Sequence, residues 1–261
     1  MNNDINQDVA KELVAQTAGK TYDDIAHPTA HATGQIISFI PRTIKVWLGK
    51  WEKWILNGEY AIKETEMLLA EKLKRIPEEK IVEPEPYVAV PAIQQLSYSL
   101  DSEELRELYA NLLASSMNAD TKGDVHPAFV DIIKQLAPDE AKLLRYFSEQ
   151  KAIPAVEVRE RSENGTGFRI FAKLNFTIPD GLLDVPQNYL VYVGNLIRLQ
   201  LVEIPADTHY SNESLYKPLE NPIIYLGAHT ERLMFERKIV KISPFGRLFV
   251  KICQPKQEAQ Q

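Results

Sequence analysis

The hydrophobic period of the chain changes near residue 152, and this change constrains the fold more than any other feature. Before it, apolar residues recur at helical spacing, in a stripe made of Leu105, Leu108, Tyr109, Leu112, Leu113 and Met117. After it, apolar and polar residues alternate in the stretches AVEVRER (155–161) and FRIFAKLNF (168–176). A repeat of three to four residues predicts helices, whereas a repeat of two predicts strands. We therefore predict a mostly α fold whose C-terminal part is an α+β module.

Capping and breaking residues divide the central region into helices. Asp101 and Glu104 form a D-x-x-E pattern, in which the aspartate accepts a free amide of the first turn. Gly123 ends this helix, and Pro127 suits the first turn of the next one. Pro138 begins a further helix, with acidic residues favourable in its first turn. The pattern predicts three consecutive helices.

The region after residue 152 combines strands with helices. Asn164 and Gly165 lie between the two alternating stretches and favour a tight hairpin turn. Residues 186–204 predict a helix that runs into a short strand, and residues 238–253 predict a strand followed by a helix that begins at Ser243. This order of elements predicts a winged-helix-like domain containing β-hairpins.

A proline-rich, acidic stretch at residues 76–91 marks the clearest boundary, because proline lacks an amide donor and restricts the residue before it. With the features above, it predicts five parts of the chain. They are a polar, mobile N-terminus at 1–30, amphipathic helices at 31–80, a central helical region at 84–137, the winged-helix-like module at 138–254, and a disordered tail at 255–261.

Composition excludes several classes of protein. The net charge of -6 argues against a protein that coats nucleic acid by bulk electrostatics. The single cysteine, Cys253, excludes an intramolecular disulfide and fits a reducing compartment. No apolar run approaches the roughly 20 residues that span a bilayer. We predict a cytoplasmic protein, with peripheral attachment at the inner membrane as the alternative.

The sequence contains no constellation typical of catalysis or cofactor binding. His27 and His31 have a spacing at which two imidazoles can share a metal, but no third ligand lies close in sequence. No nucleophile, phosphate-binding loop or carboxylate pair stands out. We therefore predict a non-enzymatic protein with no cofactor and no metal, which acts through a partner.

The stretch at residues 36–55 contains all three tryptophans of the protein on one helical face, beside basic residues. Tryptophan with lysine is typical of interfacial helices, because indole suits the headgroup boundary and lysine attracts anionic lipid. Packing on the central helices and self-association are alternatives that the sequence leaves open. The candidate membrane or partner face comprises Ile44, Lys45, Trp47, Lys50, Trp51, Lys53 and Trp54.

A DNA-binding regulator is the alternative function, because winged helices commonly read DNA. The helix at 186–200 would occupy the recognition position, but it carries one cation, Arg198. The strand after the long connection carries Lys238 and Lys241. Sequence-specific readers present several such side chains to bases and phosphates. These three cations are the candidate DNA contacts, and DNA is the less favoured partner.

The stretch at 105–144, together with KISPFGRLFVKIC at 241–253, resembles the bacterial abortive-infection alpha family. The resemblance is carried by residues that we expect to be structural: Leu112, Leu113, His126, Pro127, Phe129, Pro244 and Gly246. It implies defence against phage, with an unknown protein partner or a phage-derived trigger, and it supplies no catalytic residue. We therefore expect a non-enzymatic phage-defence protein that acts through contact with a protein or a membrane surface.

Overall fold

The computed structural model of the chain describes residues 68–99 and 101–255. The candidate face at 36–55, the histidines at 27 and 31, and the predicted mobile N-terminus lie outside these residues. So does all of the predicted tail except its first residue.

The central region is helical, as predicted. A helical segment at 68–73 precedes four helices. These are α1 (Pro86–Tyr98), α2 (Glu103–Ser116), α3 (Ala128–Lys134) and α4 (Pro138–Glu149). The cap of α2 differs by one residue from the prediction: Ser102, not Asp101, accepts the amide of Leu105, at 3.3 Å. Adjacent serine and aspartate are both good caps, so the sequence alone does not choose between them.

The predicted apolar stripe lies on α2 and faces the core. Leu108, Tyr109, Leu112 and Leu113 are buried, and Leu105 at the start of the helix is half-buried. α1 and the C-terminal helix at Pro244–Cys253 pack against this helix more than any other elements do. A helix buried around this much of its circumference places α2 at the centre of the fold.

The C-terminal part contains an antiparallel sheet of four strands in the order β2-β1-β4-β3. Its elements are β1 (Ile153–Arg161), β2 (Phe168–Asn175), α5 (Tyr189–Arg198), β3 (Val202–Glu203), β4 (Leu233–Ile242) and α6 (Pro244–Cys253). β1 and β2 form the predicted hairpin, and α5 runs into β3 as expected. The helical content and the C-terminal strands are confirmed, whereas the winged-helix arrangement stays a prediction.

One hydrophobic core connects the helices with the C-terminal elements. Asn111 Nδ2 on α2 donates to the carbonyl of Cys253 at 3.0 Å, and Ser115 Oγ donates to the carbonyl of Ile252 at 3.0 Å. The last carbonyls of a helix have no partner within it, so α2 stabilises the end of α6. Burial raises the pKa of the Cys253 thiol, which keeps this side chain neutral.

The opposite face of the sheet is covered by the long connection between β3 and β4. Tyr216, Leu219 and Tyr225 of this connection pack against Val156 and Val158 of β1 in a second, smaller cluster. β1 is therefore buried on both faces. None of the helices in the described part of the chain combines the length and apolar character needed to cross a bilayer.

Candidate functional site

Motif residues that are distant in sequence meet where α3 approaches α6. The ring of His126 lies 5.9 Å from that of Phe129 and 6.0 Å from that of Phe245, measured between centroids. Phe129 and Phe245 are 5.6 Å apart. His126 Nδ1 also accepts the amide of Ala128, at 3.1 Å, at the start of α3. The histidine thus has a local contact for its ring nitrogen and two aromatic neighbours.

Replacing this histidine tests its capping contact. We expect His126→Ala to lower the free energy of unfolding by about 1 kcal/mol, because the first turn of α3 loses an acceptor. His126→Asn supplies a short side-chain acceptor at the same place, so we expect it to recover part of this loss. Urea unfolding of both variants and the wild type measures the difference. Equal stability of all three proteins would contradict the capping role.

The second motif segment brings α6 against the turn that follows α5. Ser243 Oγ accepts the amide of Gly246 at 2.8 Å and donates to the carbonyl of Gln200. The amide of Ser243 donates to the carbonyl of Leu201 at 3.1 Å. A Cβ atom on Gly246 would overlap that carbonyl oxygen, so only glycine permits this approach. Pro244 occupies the first turn of α6, where its missing amide needs no partner.

The three candidate DNA contacts are engaged with neighbouring side chains. Arg198 Nη2 donates to Asn195 Oδ1 at 2.7 Å and to Gln135 Oε1 at 3.0 Å. The ammonium of Lys241 lies 3.1 Å from Glu203. That of Lys238 lies between two carboxylates, which are described below. DNA binding stays a prediction, and nothing in the described residues supports it.

A cleft of about 760 Å³ lies where the helical segment at 68–73 meets α2 and α4. Both of its lysines are paired with carboxylates. Lys72 pairs with Glu107, and Lys142 Nζ lies 2.8 Å from Asp184 and 3.5 Å from Glu104. This network holds the three helical elements together. In the described residues, no group of three histidine, cysteine, aspartate or glutamate side chains is arranged to hold a metal.

A larger cleft, of about 860 Å³, lies beside β4 and was not predicted from the sequence. One wall is the chain that leaves β3, with Ile204, Pro205 and Ala206, and the other is β4 at Phe235 and Arg237. Its volume is within the usual range for ligand sites. The signal available in the sequence was Pro205, because a proline directly after a strand ends backbone pairing.

The two cations that line this cleft are paired with carboxylates of the protein. Lys238 Nζ lies 3.0 Å from Glu236 and 3.4 Å from Glu157. Arg237 Nε lies 2.6 Å from Glu220. The hydrogen bonds to Glu220 and Glu213 hold the pKa of the Arg237 guanidinium above its ordinary value. Both cations are thereby fixed against carboxylates of this chain, which leaves little positive charge for a phosphate.

Comparison with known proteins places the chain in a family. A solved structure of an uncharacterized protein from the hydrocarbon-degrading marine bacterium Alcanivorax borkumensis SK2 is 20% identical. The match covers 48% of this chain and 90% of that one with a TM-score of 0.33, which is too weak to carry an argument. No curated protein matches the chain. The family model described as abortive infection alpha matches residues 57–253. Because this match spans most of the sequence, the chain belongs to the abortive infection alpha family.

Proposed function

We propose that this chain is a non-enzymatic phage-defence protein that acts in abortive infection through contact with a protein or a membrane surface. Membership of the abortive infection alpha family carries the proposal. The motif residues that define the resemblance support the non-catalytic part. Phe129 and Gly246 are buried between elements, and His126 is engaged in capping and ring contacts. These residues serve as scaffold, so the acting surface lies elsewhere.

The basic, tryptophan-bearing face at residues 44–54 is the acting surface that we propose. Its indole rings suit the headgroup boundary, and its lysines suit anionic lipid or an acidic protein. In this scheme the protein is cytoplasmic at rest and attaches peripherally to the inner membrane, or to a host protein, when phage infection provides the trigger. The trigger would change what this face contacts, and the face itself would undergo no chemical reaction.

The C-terminal module at 138–254 belongs to the same proposal as a winged-helix-like unit used for packing. Its support is the connection of α5 to β3, with β3 next to β4 and β4 next to β1. The pairing of Lys238 and Lys241 with carboxylates favours a packing role over a DNA-reading role. No observation favours the DNA-binding alternative.

A phage challenge tests the defence role. Bacteria that express the chain are infected at low and at high phage-to-cell ratios while culture density is followed. We expect growth to be preserved at the low ratio and the culture to collapse at the high ratio, because infected cells die before they release progeny. Protection at both ratios would indicate a defence in which infected cells survive, and would contradict abortive infection.

Substitution of Trp51 tests the acting surface. We expect the full-length protein to bind vesicles rich in phosphatidylglycerol at low salt and to detach as salt rises. Trp51→Glu should weaken this binding at least about tenfold, since it replaces an interfacial anchor with a charge that the lipid repels. Trp51→Phe is the matched control and should retain most of the binding. Co-sedimentation measures all three proteins.

The same variants in the phage challenge show whether the face acts at all and whether its partner is a lipid or a protein. If Trp51→Glu abolishes protection while the wild type ignores the vesicles, the partner of the face is a protein. If Trp51→Glu folds normally and protects like the wild type, this face is not the acting surface, and the proposal fails.

A further inference from the structure

We propose that the open edge of β4 beside the 860 Å³ cleft binds an extended, basic peptide by adding it to the sheet as a strand. This inference goes beyond the proposed function, because it concerns a different surface and does not depend on the tryptophan face.

The register of the sheet shows which backbone groups face the cleft. Val202 lies opposite Ile242 and Glu203 opposite Lys241, and the amide of Ser243 donates to the carbonyl of Leu201. Hydrogen-bonding direction alternates along an antiparallel strand. Because the amide of Ser243 faces Leu201, the amide and carbonyl groups of the odd-numbered residues of β4 point towards β3. The amide and carbonyl groups of the even-numbered residues of β4 point towards β1. The β1–β2 hairpin agrees with this assignment: the amide of Ser162 donates to the carbonyl of Gly167, so even-numbered residues of β1 face β2. The odd-numbered residues of β1 therefore face β4, where they lie opposite its even-numbered residues.

β3 is too short to use this edge. It ends at Glu203, opposite Lys241, whereas β4 extends back to Leu233. The amide and carbonyl groups of Phe235 and Arg237 therefore point to the position where a longer β3 would continue. No residue in the described part of the chain pairs with them. An unpaired strand edge of this kind is a template for another strand.

The sequence prevents β3 from continuing. In the register of the sheet, the residue opposite Ile239 would be Pro205, which has no amide to donate. Asp207 then adopts a left-handed conformation with φ of 51° in a turn at 206–207, which interrupts the extended chain. The opening next to Phe235 and Arg237 is thus built into the chain and is not a gap left by loose packing.

The walls of the cleft define the chemistry of the added strand. Ile204, Pro205 and Phe235 are apolar and suit an aliphatic side chain. Arg237 is offset by Glu220 and by Glu213, which lies 3.2 Å from it. Lys238 shares Glu157 and Glu236 with Arg159, so these four charges balance.

Asp207, which lines the cleft, is exposed and makes no ion pair with any residue that the structure describes. The charge left over in the cleft is negative, because Arg237 faces two carboxylates and Asp207 has no cation beside it. Main-chain hydrogen bonds give affinity in strand addition, and alternate side chains give specificity. The partner is therefore an extended segment in which aliphatic and basic residues alternate.

Amide hydrogen exchange of the full-length protein tests the edge directly. In the free protein, the amides of Phe235 and Arg237 should exchange at least tenfold faster than those of Glu236 and Lys238, which pair with β1. The probe is an acetylated, amidated pentapeptide of alternating lysine and valine. At saturation it should slow exchange at Phe235 and Arg237 at least tenfold. The same peptide with alternate backbone amides methylated should not.

Two further peptides fix the partner chemistry. Peptides in which glutamate or threonine replaces lysine should bind at least tenfold more weakly, and stronger binding of the glutamate peptide would overturn the basic assignment. No protection by any of the three peptides would overturn the site. Slow exchange of Phe235 and Arg237 in the free protein would also overturn it, because the edge would then be covered already.

A pair of variants tests whether the backbone amide of residue 237 binds the peptide. Arg237→Ala and Arg237→Pro both lose the ion pairs, but only the proline variant loses the amide that faces the cleft. An amide on the open side of an edge is where a strand tolerates proline. We expect Arg237→Ala to keep binding within a few-fold and Arg237→Pro to lose it at least tenfold. Equal binding by the two folded variants would overturn the proposal. If Arg237→Pro does not fold, the methylated peptide provides the same comparison.

Discussion

Replacing Gly246 by alanine is expected to lower the free energy of unfolding by about 3 kcal/mol, at the upper end of the usual effect of overpacking. The added Cβ would lie 2.8 Å from the carbonyl carbon of Leu201 and 3.0 Å from its Cα, and would overlap the carbonyl oxygen. These are backbone atoms, so no side-chain rotation relieves the contact. If α6 moved away, the hydrogen bond from Ser243 to Leu201 would lengthen as well.

Gly194 provides the matched control for this substitution. It lies inside α5, and an added Cβ there would meet no atom within 4 Å. Alanine is the better helix former, so Gly194→Ala should raise the free energy of unfolding by about 0.5–1 kcal/mol. Urea unfolding at one pH compares both variants with the wild type. If Gly246→Ala matched the wild type within about 0.5 kcal/mol, the close approach of α6 to Leu201 would be wrong.

The need for glycine at position 246 could not be predicted from the sequence. The Ser243–Pro244 start of α6 follows from local capping rules and was predicted. The reason for Gly246 is a contact with Leu201, on a different element, and no local rule contains it. The stripe on α2 and the β1–β2 hairpin were predictable for the opposite reason, since periodicity and turn residues are local signals.

The cleft beside β4 and the candidate DNA contacts show the same limit. Pro205 indicates that β3 ends, but the open amides depend on the register, and a slip of one residue would exchange the two sides of the strand. Lys238 and Lys241 are visible in the sequence as cations. The carboxylates of Glu157 and Glu203 that offset them come from other strands, and only the fold brings them together.

Substitution of Asp139 is expected to cause the second large loss of stability. The sequence predicts the position of this residue in a helix correctly, but its role in the structure is different. We predicted it as an acidic residue favourable in the first turn of α4. In the structure it is buried, with 4% exposure, and accepts the amides of Asp184 and Val185, each at 2.9 Å. It therefore ties α4 to the connection that leads into α5, 45 residues further along the chain.

We expect Asp139→Asn to lower the free energy of unfolding by about 2 kcal/mol at neutral pH. The two amides bond to different carboxylate oxygens, and asparagine has one oxygen. Its NH₂ group would face the second amide, so one buried donor would lose its partner and meet another donor. The ion pair with Lys142, at 3.5 Å, would be lost as well.

The effect of this substitution should depend on pH in a defined direction. Burial opposes ionisation of Asp139, but the hydrogen bonds from Asp184 and Val185 and the charge of Lys142 outweigh it and hold the pKa of this carboxyl below its ordinary value. A group whose pKa is lowered by folding stabilises the protein above its unfolded pKa, about 3.9 for aspartate. This contribution is lost as the pH falls through the lower, folded pKa.

The difference in stability between the wild type and Asp139→Asn should therefore be constant from pH 7 to about 5 and should narrow below about 3.9. Urea unfolding at pH 7, 5 and 3 measures it. Glu163→Gln, which removes an exposed carboxylate of the hairpin turn, is the matched control and should track the wild type throughout. A difference that stayed constant down to pH 3 would mean that the loss comes from packing alone. In that case the carboxylate charge of Asp139 would not stabilise the junction between α4 and the connection to α5.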